Sequence, residues 1–358
     1  TAKEKGSYRL NGAELEQEIE PQTTYGVFRG QKEIDEGRRG IGFIATMTSR
    51  NKISPLIKNE FNKSAQGFGI DGWTFLDKEK MWVVTSYIGG TRIRASSERM
   101  QELQESSMHY YQRPDADHVS LDSSITSLSG YSGRMLINKQ KGNIIFNSAI
   151  GVVSPGFNVN DLGFMFRNDV INYHLGFGYK WTKPNKIARE IVLIGANFQS
   201  FDFSKNKIGD GIFGLGEFIF HNYHGLTAEI FHTKNHFDNR ATRGGPMVIE
   251  PGGTMAGVEY STDSRKSIIL GLAAEYYSSS IIRDNELDIE MSIEWKPRPN
   301  LSLSVGPEWS IEDEYSQYVM QEEDILATNT YGKRYIFSRL QYEELAANIR
   351  LNWTFSPK

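Results

Sequence analysis

Residues 287–296 read LDIEMSIEWK, and an apolar side chain stands at every second position of this stretch. Leu287 and Ile289 alternate with Asp288 and Glu290, and the pattern continues to the end of the stretch. Because successive side chains of a β-strand point to opposite faces, this spacing separates an apolar face from a charged one. An amphipathic helix would instead need apolar spacings of three and four. The stretch therefore predicts a strand between an apolar phase and water.

Similar alternation recurs along the chain and indicates an all-β protein. It is found at 171–181, 301–312 and 345–355, and further strands are predicted at 25–32, 41–50, 73–75, 81–88 and 129–139. The polar segments 51–65 and 91–107 are predicted to be connections, the second with a short helix at 99–106. In total the pattern predicts roughly 14–16 strands or more, paired antiparallel.

The predicted connections alternate in length over the C-terminal half. Short turns are predicted at 221–224, 261–266 and 296–300, and long polar loops at 234–253 and 313–332. Several apolar faces end in an aromatic residue near a short turn, at Trp181, Trp295, Trp353 and Phe355. Short turns on one side, long loops on the other and aromatic girdles are features of outer-membrane barrels. The sequence therefore predicts a transmembrane antiparallel β-barrel.

The composition agrees with this class and excludes others. The 358 residues include 40 Lys and Arg against 44 Asp and Glu, so no basic excess exists to neutralise nucleic-acid phosphates. Cysteine is absent, which excludes disulfides and thiolate metal sites. The mean hydropathy of -0.47 is compatible with a barrel, because alternate residues of each strand face water. We find no linker, so residues 1–358 are predicted to form one domain, with 1–22 as a lead-in segment.

The two ends of the chain carry further expectations. Residues 1–5 are polar and no apolar segment follows them, although a barrel must first cross an inner membrane. A signal segment is therefore expected upstream. Residues 356–358 (SPK) resemble the turn at 296–299 (KPRP), which is followed at once by a strand. Since an unpaired strand edge is costly in lipid, either the pairing closes here or further strands follow, and we expect additional strands beyond this turn.

Three stretches of the sequence resemble one known family. They are residues 110–119 (YYQRPDADHV), 154–164 (SPGFNVNDLGF) and 242–246 (TRGGP). In order and spacing they are similar to the C-terminal barrel domain, itself of unknown function, of envelope proteins common in Bacteroidota. The resemblance runs from around Thr24 to the end of the chain. In that family the barrel follows a domain similar to carbohydrate-binding module family 9, and no sugar-binding role of that domain transfers to these residues.

An acidic cluster with one histidine is the first candidate site. It consists of Asp115, Asp117, His118 and Asp122. Oxygen ligands at alternate positions suit Ca²⁺, and Asp with His suits a transition metal. The spacing matches no EF-hand or zinc-protease template. A solvated loop with Asx turns is the favoured interpretation, so no cofactor is predicted and Ca²⁺ is the alternative.

Arg243 is the second candidate, in a glycine-rich turn of the predicted long loop at 234–253. It would dock an anionic group or fold into the lumen as part of a plug. The favoured interpretation is an exposed arginine in a turn that is shaped by its glycines.

These observations favour a non-enzymatic protein of the bacterial outer membrane, acting as a pore, a transport component or an anchor for a surface domain or partner proteins. The expected partners are outer-membrane lipid and other envelope proteins, not nucleic acid. The alternative is a carbohydrate-handling protein or hydrolase with a site in the lumen or loops, although the sequence has no GxSxG frame. A soluble β-sandwich or propeller is disfavoured by the unbroken apolar faces and their aromatic ends.

Overall fold

The computed structural model describes residues 1–279 and 284–355, so the predicted turn at 356–358 lies outside the described residues. These residues form antiparallel strands with one α-helix, α1 (Ser97–Glu105), and one 3₁₀ turn (Thr328–Thr330). The predicted all-β class is confirmed. The strands are β1 (Glu4–Leu10), β2 (Ala13–Glu20), β3 (Gln22–Ile34), β4 (Arg39–Asn51), β5 (Ser64–Phe75), β6 (Trp82–Arg94), β7 (Ser127–Lys139), β8 (Ile144–Val153), β9 (Val170–Trp181), β10 (Glu190–Phe201), β11 (Lys207–Ile219), β12 (Gly225–Thr233), β13 (His236–Asp238), β14 (Val248–Glu250), β15 (Gly253–Ser261), β16 (Ile268–Ser279), β17 (Asn285–Arg298), β18 (Leu301–Glu323) and β19 (Lys333–Trp353).

Most of the described residues belong to one antiparallel sheet of 15 strands. Its order runs from β3 to β12 and continues from β15 to β19, as in an up-and-down barrel. The strand number agrees with the prediction. β1 and β2 form a separate hairpin, and β13 and β14 form another inside the connection between β12 and β15. Within the described part of the chain, β3 and β19 each pair with one neighbour and not with each other.

The strand register gives the sheet two chemically different faces. Ile70 pairs with Ile88, so both side chains lie on one face. Followed from strand to strand, the register places Leu270 and Ile293 on this same face. All four side chains are exposed. This exposed apolar side is termed the outer face, and the opposite side the inner face.

The connections differ at the two ends of the sheet. Short turns such as 35–38 and 220–224 lie at one end, and the long loops 52–63, 95–126, 154–169 and 234–252 lie at the other. The predicted loop at 313–332 is wrong, because β18 continues to Glu323. That part of β18 has polar residues on both faces and two register shifts, so alternation does not mark it, but its backbone pairs with β19.

Long loops pack against the inner face. Three of them are termed the loop layer, namely residues 95–126, 154–169 and 234–252. The backbone N–H of Asn158 donates to the hydroxyl of Thr91 on β6 at 3.0 Å. Beside it, the backbone of Phe157 lies directly against Gly130 on β7, with no room for a Cβ atom. The loop layer therefore rests on the inner wall rather than extending freely from the strand ends.

Helix α1 anchors the first loop of this layer. Ser96 caps the helix by accepting a hydrogen bond from the backbone N–H of Arg99 at 3.2 Å. Met100 is fully buried and packs with Ile93 and Leu128 on the inner face, a burial that stabilises by about 1.5–3 kcal/mol. The predicted short helix is confirmed. Among the described residues no helix has the length and hydropathy needed to cross a bilayer.

Candidate functional site

A buried ion pair holds the loop layer together. The guanidinium of Arg113 donates to Asp169 at 2.9 Å, and only 3% and 9% of the two side chains are exposed. A buried charge without its partner loses hydration and gains nothing in return, so each residue depends on the other. Asp169 also accepts a hydrogen bond from the backbone N–H of Phe203 at 3.1 Å. The pair thus joins two loops of the layer and the turn after β10.

His118 extends this pair into a chain of polar contacts. Its Nε2 lies 2.8 Å from Asp169, its Nδ1 contacts the hydroxyl of Ser204, and that hydroxyl contacts Asp117. Burial lowers the pKa of His118, but the hydrogen bond to Asp169 and its charge outweigh burial and raise the pKa overall. Burial raises the pKa of Asp169, but the hydrogen bonds from His118 and the backbone of Phe203 lower it overall. The two residues therefore favour the charged pair.

A second histidine joins the same two loops in its neutral form. Nδ1 of His109 lies 2.9 Å from the carbonyl of Pro155 and 2.6 Å from the side-chain amide of Asn168. Nε2 faces the side-chain amide of Asn158 at 3.4 Å. Burial, together with the charge of Arg240, lowers the pKa of His109 to about 4 against the opposing effect of the Pro155 hydrogen bond. His109 is therefore a neutral structural contact near pH 7.

Arg240 connects the third loop to the other two. Its guanidinium donates to the carbonyl of Met108 at 2.9 Å and to the carbonyl of Phe166 at 3.3 Å. It also lies over the ring of Tyr110, 5.7 Å from the centroid. Burial and the nearby charge of Arg167 lower the pKa of Arg240 to about 10, which leaves it charged near pH 7. All three loops of the layer thus meet at one side chain.

The predicted acidic cluster is divided in the structure. Asp115 accepts a hydrogen bond from the backbone N–H of Met247 in the third loop. Asp122 instead closes an Asx turn with the backbone N–H of Ser124 at 2.8 Å. The other two members, Asp117 and His118, belong to the chain of polar contacts at Ser204. In the described ranges, no three His, Cys, Asp or Glu side chains are placed to share a metal ion, and Ca²⁺ stays a prediction without a ligand set.

Arg243 contacts a long strand of the sheet. Its guanidinium lies over the ring of Tyr318 on β18, 4.7 Å from the centroid. The ring of Tyr335 on β19 fills the space beside Gly245 in the same turn. These contacts attach the third loop to β18 and β19, while Asp115 and Arg240 attach it to the first loop.

Several residues of this site are not identified by sequence reasoning. Arg113 lies inside the stretch 110–119, but no local signal shows that it is buried. Asp169 and Ser204 are single polar residues at strand ends, and their composition does not distinguish them from other turn residues. Only the resemblance of 110–119 and 154–164 to a known family marks these loops as unusual.

Comparison with solved structures found distant similarities. The chain is similar to an anion-selective porin from Comamonas acidovorans, at 8% identity over 93% of this chain and 100% of that chain, with a TM-score of 0.36. It is also similar to OpdQ of Pseudomonas aeruginosa, at 8% identity over 97% and 94% of the two chains, with a TM-score of 0.36. Similarity at this level does not establish a function. The comparison with curated proteins found no match.

A family match covers most of the chain. Residues 95–358 match the family described as a domain of unknown function (DUF5916). The resemblance to a domain of unknown function is confirmed over these residues, while the source in Bacteroidota and the neighbouring carbohydrate-binding domain stay predictions. The chain belongs to the family of the domain of unknown function DUF5916.

Proposed function

We propose that this chain spans a bacterial outer membrane as a β-barrel and acts as a pore or transport component whose lumen is obstructed by the loop layer. The main support is the outer face, which stays apolar and exposed across the sheet, for example at Ile88 (63%) and Leu345 (80%). Soluble proteins rarely leave apolar area of this extent uncovered. In an outer-membrane barrel, lipid covers such a face.

Aromatic residues support the same orientation. Trp181, Trp295 and Trp353 are exposed on the outer face near the short-turn end of their strands. Neighbouring rings contact two of them, with centroids 4.5 Å apart for Tyr179 and Trp181 and 4.4 Å apart for Trp353 and Phe355. Aromatic girdles sit at membrane interfaces. The short turns would therefore face the periplasm and the loop layer the cell exterior.

The path past the loop layer is acidic. A cavity of about 620 Å³ lies between the third loop and strands β16 to β19. Its lining includes the acidic residues Asp238, Glu250, Asp284, Glu286, Glu312 and Glu314 together with Arg240 and Arg243. Negative walls of low dielectric raise the local concentration of cations. We therefore infer that ions passing this pore are preferentially cations.

The long strands provide a surface for partner proteins. β18 has 23 residues and β19 has 21, which at about 3.3 Å per residue is roughly 70 Å. The apolar band of a barrel is only about 25 Å tall. The excess length would extend beyond the membrane, where other envelope proteins could attach, and this supports the anchor role as part of the proposal.

The proposal is tested by gel migration followed by bilayer conductance. Detergent-purified protein is expected to migrate faster unboiled than boiled, with a β-type circular dichroism spectrum, because closed barrels resist detergent. Reconstituted protein is expected to show small, cation-selective conductance, since the loop layer obstructs the lumen. Identical migration together with solubility in plain buffer would contradict the membrane assignment, and a large unobstructed conductance would contradict the role of the loop layer.

A second candidate, a hydrolase, is suggested by the polar chain. Ser204, His118 and Asp169 follow the order of nucleophile, base and orienting acid in a catalytic triad. Two observations oppose a catalytic role of these residues. Arg113 already neutralises Asp169, and the raised pKa of His118 favours the protonated ring, which cannot take a proton from Ser204.

Labelling with a fluorophosphonate distinguishes the two candidates. Because the protonated His118 is not a free base for Ser204, we expect no modification of Ser204 in folded protein at pH 6. The peptide containing Ser204 is followed by mass spectrometry, with Ser204→Ala as the matched control. Stoichiometric labelling of the parent protein that disappears in both Ser204→Ala and His118→Ala would instead support the hydrolase.

A further inference from the structure

We propose that the chain binds a small neutral, mainly apolar molecule with one hydrogen-bonding group, in a cavity between strands β4 to β6 and loop 154–169. The cavity has a volume of about 360 Å³ and lies apart from the polar chain at Ser204. Binding there goes beyond the proposed pore, because it does not require that anything passes through the lumen.

The walls of this cavity are mostly apolar. On the loop side they include Val159 and Leu162, and on the strand side Ile44 and Ala65. The inner face also carries a group of glycines at this point, whose missing side chains leave the space open, namely Gly67, Gly69 and Gly89. Ligand pockets in proteins are typically concave, apolar and furnished with a few polar groups.

Thr48 supplies a hydroxyl group at the wall of the cavity. The residue lines the cavity and is 0% exposed. Its hydroxyl oxygen has no hydrogen-bond partner among the described residues. Buried hydroxyls are nearly always paired, because a lost hydrogen bond to water is not otherwise replaced. A hydroxyl or carbonyl group of a ligand in this cavity would pair with Thr48 once the atoms that now cover the hydroxyl move aside.

The charged residues of the cavity favour a neutral ligand. The carboxylate of Asp161 accepts hydrogen bonds from Arg50 at 2.6 Å and Asn62 at 2.7 Å. The carboxylate of Asp71 is paired with Arg29 in a two-point contact. Both negative charges are thus compensated within the protein. A ligand ion of either sign would therefore lose hydration in a mostly apolar cavity and gain little from these paired charges.

The volume sets the size of the ligand. At about 30 Å³ per water molecule, the cavity corresponds to roughly a dozen waters. A bicyclic aromatic alcohol with a similar number of non-hydrogen atoms matches this size, the apolar walls and the single polar group. 1-Naphthol is therefore a suitable probe, and its fluorescence reports a change to an apolar environment.

The experiment titrates 1-naphthol, naphthalene and 1-naphthalenesulfonate into the full chain in lipid nanodiscs, with empty nanodiscs as the partition blank. The variant Thr48→Val removes the hydroxyl at nearly constant volume. Val159→Trp fills the cavity from the loop side. Thr227→Val is the matched control, because Thr227 is on the inner face of β12 and does not line the cavity. Gel migration of each unboiled variant verifies its fold.

We expect saturable binding of 1-naphthol to the parent protein. Loss of one hydrogen bond should weaken this binding about three- to tenfold in Thr48→Val, with no change in Thr227→Val and loss of binding in Val159→Trp. Naphthalene should bind the parent and Thr48→Val equally. Absence of saturable binding, equal affinity of the sulfonate, or unchanged 1-naphthol affinity in Thr48→Val would overturn the proposal. If Thr48→Val does not fold, a parent protein that fails to prefer 1-naphthol over naphthalene would overturn it as well.

Discussion

Replacing Arg113 with methionine is expected to release the loop layer from the inner face. The change removes a buried ion pair and leaves Asp169 with His118 and the backbone of Phe203 as its partners, at a cost of about 3 kcal/mol, the lower end for a broken buried pair. That cost corresponds to more than a hundredfold shift toward the released loops. Backbone hydrogen exchange in residues 106–126 should accelerate accordingly, and single-channel conductance should rise, because the loops no longer obstruct the lumen.

Two controls separate this effect from the general loss of a charge. Arg29→Met removes a partner of Asp71 in a pair whose side chains are 41% and 30% exposed, and exposed pairs contribute only about 0–1 kcal/mol. The double variant Arg113→Met/Asp169→Asn should recover part of the slow exchange, since no unpaired charge remains buried. Equal exchange rates in Arg113→Met and Arg29→Met would contradict the assigned role of the buried pair.

The second large effect is expected from Gly130→Ala. A Cβ atom at this position would overlap the backbone nitrogen of Phe157 and the carbonyl carbon of Gly156. Backbone atoms cannot rotate away as a side chain does, so the second loop must move off the wall. Overpacking of this kind costs about 1–3 kcal/mol or more. Proteolysis within residues 154–164 and bilayer conductance should both increase.

Gly90→Ala is the matched control for this substitution. Gly90 is on the neighbouring strand β6, and the atom nearest to an added Cβ is the carbonyl oxygen of Gly130 at 3.5 Å, an ordinary contact. Alanine there adds the same methyl group without meeting the loop. If Gly90→Ala increases proteolysis as much as Gly130→Ala, the effect belongs to the strands and not to the loop contact.

The fold follows from the sequence wherever one face of a strand is apolar and the other polar. β17 is predicted correctly for this reason. β5 begins at Ser64, whereas the sequence indicates a strand only at 73–75. The prediction is too short because Gly67, Gly69 and Gly72 have no side chains and so hide the alternation of apolar and polar residues. The distal part of β18 has polar residues on both faces, so only its pairing with β19 identifies it.

The site follows from the sequence only where its chemistry is local. The Asx turn at Asp122 involves a residue two positions away, and turn chemistry predicts it. Arg113 and Asp169 are 56 positions apart, and their contact depends on how two loops fold against the inner face. Charge, spacing and composition do not predict a contact between residues so far apart in the sequence. The predicted acidic cluster and the observed polar chain therefore share only some of their residues.

An odd number of strands has a consequence for sidedness. β3 starts at Gln22 at the long-loop end, where Glu18 of the β2 strand contacts the backbone of Ser54. β19 ends at Trp353 at the short-turn end. With 15 antiparallel strands the two positions lie on opposite sides of the sheet, whereas an even number would return the chain to the side it came from. If the sheet spans a bilayer, an epitope at Gly12 and another at Phe355 would be accessible from opposite sides of the membrane. Each end of the described chain could then contact molecules of a different compartment.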